Sequence, residues 1–274
     1  MKRPTLLGLH ARPGRWTAYC LAALPFIFVI ATYLHFSHQR HLENPNDKLL
    51  PSASQIHAAV VRYAFTQDAR SGKYLFWQDT ASSLKRLAIG ITASAVLALF
   101  IGLNMGMFPG LASGSAGFLT FASMIPPMAL LPILFISFGI GELGKIALIF
   151  FGTFPLMTRD IYMSVKKLPQ QLTTKALTLG ATQLAVVYHA ILPQIMPRLI
   201  ESLRLSLGAA WLFLIAAEAI ASTDGLGYRI FLVRRYLSMD VIIPYVMWIT
   251  LLGFSIDFAL RLLLRSLFPW YRGE

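Results

Sequence analysis

Five ionisable side chains stand within or at the edge of apolar runs in this 274-residue chain: Lys85, Arg86, Arg204, Glu218 and Asp257. In hydrocarbon such groups are costly. They face a bundle interior or a wet cavity, and they mark either a structural pair or a solute path. Lys85 and Arg86 open one apolar run, Arg204 opens another, and Glu218 and Asp257 lie deeper. Glu218 sits among Ala216, Ala217, Ala219 and Ile220 with no partner close in sequence. It is either half of an interhelical hydrogen bond or part of a pathway lining, and Arg86 and Asp257 are the other candidate pathway residues. Glu201 and Arg204, three apart on one helical face, are expected to pair with each other.

Other chemistry-bearing patterns are weaker. Gly139-Ile140-Gly141-Glu142-Leu143-Gly144 matches G-x-G-x-x-G, and Gly139 to Lys145 matches G-x-x-x-x-G-K, with Ile146 where a hydroxyl would meet Mg²⁺. Both phosphate cradles need a strand before and a soluble helix after. Apolar runs flank this stretch, so it reads as a hairpin between spans, with no ATP bound or hydrolysed by this chain. His35, His38 and His41 would approach a metal only if their helix continued. Asn44-Pro45 signals its end, and interfacial histidines are the simpler account. No nucleophile elbow, HExxH or acid–base pair stands on a soluble element, so an enzyme is not expected. Cys20 is the sole cysteine, which excludes a disulfide framework and a cysteine metal site.

Composition says what must hold these groups. Hydrophobic residues make up 56% of the chain and charged residues 13%, and mean hydropathy is +0.62. A soluble globule devotes about a quarter of its residues to charge. Here apolar residues gather into runs of about 20, the length that crosses a hydrocarbon core of about 30 Å. The fold class is therefore an all-α membrane protein. The net charge of +12 comes mostly from Lys and Arg flanking the runs, where they set topology and anchor to headgroups. No basic stripe with interleaved aromatics suggests nucleic acid.

Lys2, Arg3, Arg12 and Arg15 precede a run over residues 16–36. That run exceeds a signal-peptide core and ends without a small-x-small cleavage pattern, so it reads as a retained span entering from the cytoplasm. Residues 37–83 form an external polar segment. Asn44-Pro45-Asn46-Asp47 is turn chemistry, residues 51–55 resemble a helix start, and Ile56, Val60, Tyr63 and Ala64 recur at the spacing of a short surface helix. Further spans are expected over residues 84–108, 117–138, 145–157, 199–221 and 241–264, about six in all, the fourth being short. Pro126, Pro127 and Pro132 interrupt the third, which predicts burial among neighbouring helices. Gly90, Ser94, Ala98, Gly102 and Gly106 place small residues on one face of the second, which predicts close helix packing.

This count puts residues 170–197 and a tail over 269–274 in the cytoplasm. Arg159, Lys166, Lys167, Lys175, Arg198, Arg261, Arg265 and Arg272 then fall inside, against Arg62, Arg70, Lys73, Arg229, Arg234 and Arg235 outside. The N-terminal flank decides the orientation. The stretch over 172–197, LTTKALTLGATQLAVVYHAILPQIMP, is polar between two spans and ends in a double-proline step. Gly180 permits a sharp turn without a Cβ penalty, ending one short helix near residues 170–179 and starting another that leads to Pro193. The first would offer Ala176, Leu177 and Leu179 to an apolar groove on a partner; otherwise it is a connector lying on lipid.

Here the chain resembles the inner-membrane permeases of ATP-binding cassette importers, whose loop has the form E-A-A-x-x-x-G followed by I-x-L-P. Ala176-Leu177-Thr178-Leu179-Gly180-Ala181 and Ile191-Leu192-Pro193 carry the likeness. Ile125–Pro132, Phe138–Glu142, Leu212–Glu218 and Gly225–Tyr228 are similar to the nitrate/sulfonate/taurine branch, over about residues 82–269. The resemblance implies a type I importer permease fold whose core spans 84–268. It implies a cytoplasmic coupling helix in which Thr174, Lys175, Ala176, Leu177, Leu179, Gly180, Ala181 and Pro193 meet an ATPase. It also implies a homodimer in the cell inner membrane, two ATP-binding cassette ATPase subunits holding ATP and Mg²⁺, and a periplasmic or external substrate-binding protein. No cofactor falls to this chain. The implied cargo is a small anion such as a sulfonate, taurine, nitrate or bicarbonate, moved by alternating access.

Where the family carries an acid this chain has Thr174, and Lys175 stands at the first alanine, so that contact is absent, moved or charge-reversed. Arg229, Arg234 and Arg235 either attract anions or a binding protein, or are surface charges on an amphipathic turn, the simpler account. Two other classes remain. A secondary transporter would need inverted repeats, and the halves show no self-similarity. A membrane scaffold or sensor would need only a partner for the loop.

Overall fold

Where no water can bond the backbone, a spanning segment must satisfy its own N–H and C=O groups, and the apolar runs accordingly form helices. The computed structural model describes residues 14–44, 47–69 and 71–271. Lys2, Arg3, Arg12, Pro45, Asn46, Arg70 and Arg272 lie outside the described residues. Five helical stretches are long and apolar enough to cross a membrane: α1 (Arg15–Glu43), α3 (Leu75–Met107), α6 (Glu142–Lys166), the continuous stretch Gln183–Ala221, and α11 (Met239–Leu267). The long stretch comprises α8 (Gln183–Ala185), a π-helical turn and α9 (Leu192–Ala221), and shorter helices are α2 (Ala53–Val60), α4 (Pro109–Met124), α5 (Pro127–Phe138), α7 (Gln170–Thr178) and α10 (Leu226–Arg234).

Several boundaries differ from the sequence expectation. The single span expected over 117–138 is two helices, α4 and α5, meeting at 97°. Pro126 and Pro127 lack N–H donors, and the residue before a proline is driven to extended backbone, as Ile125 is, with ψ 122°. Counting the bent pair as one crossing raises the total to six. Nor is this pair buried within the protomer, since only Ala112, Leu119, Leu131 and Leu134 are enclosed. The span expected at 145–157 is the 25-residue α6. Helix α3 begins at Leu75 rather than near 84, and α1 continues past residue 36 to Glu43.

The centre of the bundle is the seam between α3 and α6. A Cβ at Gly90 would lie 2.8 Å from the Ile149 side chain, and one at Gly102 2.8 Å from the Thr158 carbonyl oxygen. Ala98 is fully buried. Thr153 Oγ1 donates to Ser94 Oγ at 2.8 Å, which gives this close approach a buried polar tie. The small-residue ladder on α3 thus lets β-branched side chains of α6 nest against its backbone. Helix α9 packs on this pair, with Leu207, Ala210, Phe213, Leu214 and Ala217 in the core.

Helix α1 stands apart, its apolar stretch exposed along its length, and is tied in near its C-terminal end. Tyr33 OH donates to the Pro51 carbonyl at 2.7 Å and Arg40 pairs with Asp47 at 2.6 Å. Ser52 caps α2 in a reciprocal box with Gln55. Of the three histidines, His41 serves this junction. His41 lies 2.8 Å from the Ser37 carbonyl and 3.1 Å from Gln55 Oε1, and His35 bonds Gln39. Among the described residues no group of three His, Cys, Asp or Glu side chains is placed to hold a metal. The bundle has an α10 end, where α2, α10 and the starts of α3, α6 and α11 meet, and an α7 end, where those three helices finish.

Candidate functional site

At the α7 end the polar stretch forms a handle. Pro169 enters α7 and Gly180 closes it. Ala181 N–H donates to the Ala176 carbonyl at 3.1 Å and Gly180 N–H to the Leu177 carbonyl at 3.0 Å, the paired bonds of a Schellman C-cap. That motif requires a left-handed residue, and Gly180 has φ +88° with open space around it. The glycine is needed for its conformation, not for room. Thr182 then caps the next helix by accepting from Ala185 N–H at 3.2 Å.

The two faces of α7 differ. Ala176 and Ala181 pack against a core cluster built on Val186, Val187, Ile191 and Ile195, so the handle is seated on the bundle. Leu177 is 47% exposed and Leu179 is 88% exposed. Thr174 is exposed, its Oγ1 donating to the Gln170 carbonyl at 3.1 Å. Lys175 is exposed and makes no ion pair among the described residues. Of the three side chains expected to face a groove, Ala176 therefore turns to its own core instead. Pro193 does not end the stretch. Residues Val186–Ile191 adopt a π-helical turn and the helix runs on to Ala221. A wider turn accommodates a proline that cannot donate, so the expected step is absorbed within one helix.

Beside the handle lies a cavity of about 530 Å³ between α6, α9, α11 and the C-terminal residues. Arg198 bonds Asp160 at 2.7 Å and Glu201 at 3.1 Å. Arg204 bonds Asp257 at 2.8 Å, and Arg261 bonds the same carboxylate at 2.7 Å. The expected Glu201–Arg204 pair does not form. Arg198 is also three positions from Glu201 and reaches it instead, which leaves Arg204 for α11. Tyr271 OH donates to Glu201 Oε2 at 2.8 Å. Burial, then that carboxylate, push the Tyr271 hydroxyl up to about 12.

The α10 end holds a second cluster, made of buried charge. Arg86 is 2% exposed and is met by three carboxylates. Its fork donates to both oxygens of Glu142 at 2.7 Å, while Nη1 reaches Glu218 Oε1 at 2.7 Å, and Nη2 reaches Asp224. Lys145 donates to Glu142 and to Ser222 Oγ, each at 3.0 Å. Glu218 further accepts from Ser83 Oγ at 2.8 Å and from Gly227 N–H at 2.8 Å. Gly225, at φ +116°, lies so close that any Cβ there would enter the Glu218 carboxylate. Burial would push the Asp224 carboxyl up, but hydrogen bonds from Arg86 and Ser82 hold it below the usual range. Alongside, buried Asp79 accepts from Arg229 Nε at 2.8 Å, from Tyr245 OH at 3.2 Å and from Gly225 N–H at 3.0 Å.

The candidate pathway residues are thus separated. Arg86 and Glu218 bond each other at the α10 end, whereas Asp257 belongs to the α7 end. Arg229 is not a surface charge but the partner of Asp79. Arg234 stacks over Phe231 at 5.0 Å and, with Arg235, is exposed. Sequence reasoning missed Asp79, Glu142, Asp160, Arg198 and Asp224 as partners. The usable signal was charge balance, because each buried guanidinium in an apolar bundle demands an acid. The G-x-G-x-x-G stretch is a tight hairpin in which Gly139 has φ +80° and Gly144 lies against the Gly139 carbonyl.

A sequence-family profile described as "Binding-protein-dependent transport system inner membrane component" matches residues 86–271. The chain is 34% identical over 198 residues to the taurine transport system permease protein TauC of Escherichia coli (strain K12), covering 72% of each chain. It is 33% identical over 147 residues to the putative aliphatic sulfonates transport permease protein SsuC of the same organism, covering 53% of this chain and 56% of that one. Among solved structures, an inward-facing conformation of the MetNI methionine ABC transporter has a chain that superposes with a TM-score of 0.63 at 19% identity, covering 73% of this chain and 99% of that one. That likeness shows the fold, that of a type I importer permease.

Proposed function

The chain belongs to the family of binding-protein-dependent transport system inner membrane components, the permease subunits of ATP-binding cassette importers, and from that premise we propose that it carries a small anion across the cell inner membrane. Sulfonates, taurine among them, are the first cargo to consider, because the relatives TauC and SsuC are named for taurine and aliphatic sulfonates. Nitrate and bicarbonate share the same chemistry, a small oxyanion. Two copies form the pathway, each α7 sits in the groove of an ATPase subunit, and an external binding protein delivers cargo to the α10 end. The α7 end and both termini then face the cytoplasm. ATP closure of the ATPase pair biases one of two arrangements of the helices, and the free energy comes from that partner.

The observation that carries this reading is the build of α7. One face is seated on the core through Ala176 and Ala181, the turn is held by the Gly180 cap, and Lys175, Leu177 and Leu179 are left outward. A seated helix transmits displacement as a lever, and an apolar exposed ridge fits a groove. Leu177, Leu179 and Lys175 are the ATPase contacts in this reading, with Gly180 and Ala181 holding the turn and Pro193 joining the lever to α9. With Thr174 where an acid is usual and the cationic Lys175 where an alanine is, the groove is expected to answer with a carboxylate. Arg86 and Glu218 serve as closure of the outer end.

The test is co-purification with the ATPase subunit together with uptake in proteoliposomes. A Gly180→Pro change, whose φ cannot reach +88°, should abolish both. Uptake that persists without any ATPase would overturn the proposal.

A further inference from the structure

The cavity at the α7 end contains cationic groups that the ion pairs around it do not use. Its lining carries Lys167, Arg198 and Arg204 against Glu201 and Asp257, three positive charges to two negative. Each carboxylate already meets two donors. Glu201 accepts from Arg198 and Tyr271, both on Oε2, and Asp257 accepts from Arg204 and Arg261 on its two oxygens. Arg198 commits each of its three nitrogens to Asp160 or Glu201.

Two cations are not. Arg204 bonds Asp257 through Nε alone, and its terminal nitrogens make no hydrogen bond among the described residues. The Lys167 ammonium makes no ion pair there either. The uncommitted cations are these two, whereas each carboxylate of the lining already meets two donors. A volume of about 530 Å³ lies in the range of about 300–1,000 Å³ usual for small-molecule sites. Planar guanidinium edges and an ammonium at one cavity are the chemistry that binds oxyanions.

We propose that this cavity binds an oxyanion, a sulfonate, phosphate or carboxylate group, between Lys167 and Arg204. The site touches both sides of the handle. Lys167 stands just before Pro169 at the root of α7, and Arg204 lies on α9, the helix into which the handle continues. Two sources share this chemistry: a free small anion, and the phosphate of an anionic lipid at the membrane edge. The site stands on the geometry of this chain and does not require the transport reading.

The test measures binding of inorganic sulfate to the full-length chain in phosphatidylcholine nanodiscs, by melting shift against chloride at equal ionic strength. Wild type should show a saturable rise. Lys167→Ala and Arg204→Gln should each weaken it roughly tenfold, the loss of one charge-assisted hydrogen bond, with Arg261 still holding Asp257 in the second. Lys85→Ala, the same charge change on the exposed surface of α3, should bind as wild type. In nanodiscs containing phosphatidylglycerol, sulfate binding that disappears identifies a lipid occupant, and binding that persists identifies a free anion. Absence of any saturable shift in phosphatidylcholine, or a shift undiminished in the Lys167→Ala, Arg204→Gln double variant, overturns the site. Binding is read without ATPase, so failed uptake leaves this result standing, and failed binding leaves the importer reading standing.

Discussion

Arg86 Nη1 donates to Glu218 Oε1 at 2.7 Å, tying α3 to α9, and neither side chain is more than 2% exposed. Glu218 is fully buried, and Arg86 is met by it together with Glu142 and Asp224. A buried pair of this kind stabilises less than its distance suggests, because desolvating both charges offsets most of the attraction. Breaking it from one side is nonetheless costly, since the surviving charge stays buried.

Glu218→Ala should therefore cost about 3–5 kcal/mol, and Glu218→Gln, which keeps the shape and part of the hydrogen bonding, about 1.5–3 kcal/mol. Melting of the purified protein checks both, with membrane insertion unchanged. A Glu218→Gln protein that melts as wild type but loses uptake would return this residue to the solute path.

Gly225→Ala should be among the most damaging small changes. Its φ of +116° is strained for any side chain, and the new methyl would enter the Glu218 carboxylate. Gly114→Ala on α4, where a Cβ meets nothing within 4 Å, should leave stability unchanged or raise it by up to about 1 kcal/mol through helix propensity. Equal melting of the two variants would show that the packing around Gly225 does not constrain it.

On the handle, stability and coupling should separate. Gly180→Ala places a Cβ at φ +88° and should cost about 1–2 kcal/mol. Leu179→Asp changes a side chain that is 88% exposed and should leave melting unaltered while abolishing ATPase association in pull-down. Retained association would move the contact off α7.

Tyr271 gives a test in alkali. Its hydroxyl is held protonated up to about 12, whereas a free tyrosine ionises near about 10. With the folded value raised, the stabilisation is complete below the unfolded pKa. It is lost as pH rises from about 10 to about 12, because the unfolded state releases its proton first. Melting of wild type against Tyr271→Phe across that window should converge as pH rises, and parallel curves would mean that Glu201 does not hold this hydroxyl.

Much of the architecture was legible in the residues. Apolar runs long enough to span, the small ladder that met α6, the cap at Gly180 and the Ser52–Gln55 helix start are local properties, set by side-chain size, hydropathy and allowed φ. The prolines at 126 and 127 marked an interruption, but neither the right-angle break nor its exposure within the protomer was legible, because both depend on which helices come alongside. The charge pairs needed the tertiary structure. Arg86 and Glu218 are 132 positions apart, and Arg229 and Asp79 are 150 apart, so no spacing rule links them. The nearer pairing of Glu201 with Arg204 failed for the same reason. Several partners lay within reach of each guanidinium, and only the docking of helix ends decided which carboxylate each one met. The sequence by itself determined that buried cations required acids; the fold decided which ones, and which cations were left over.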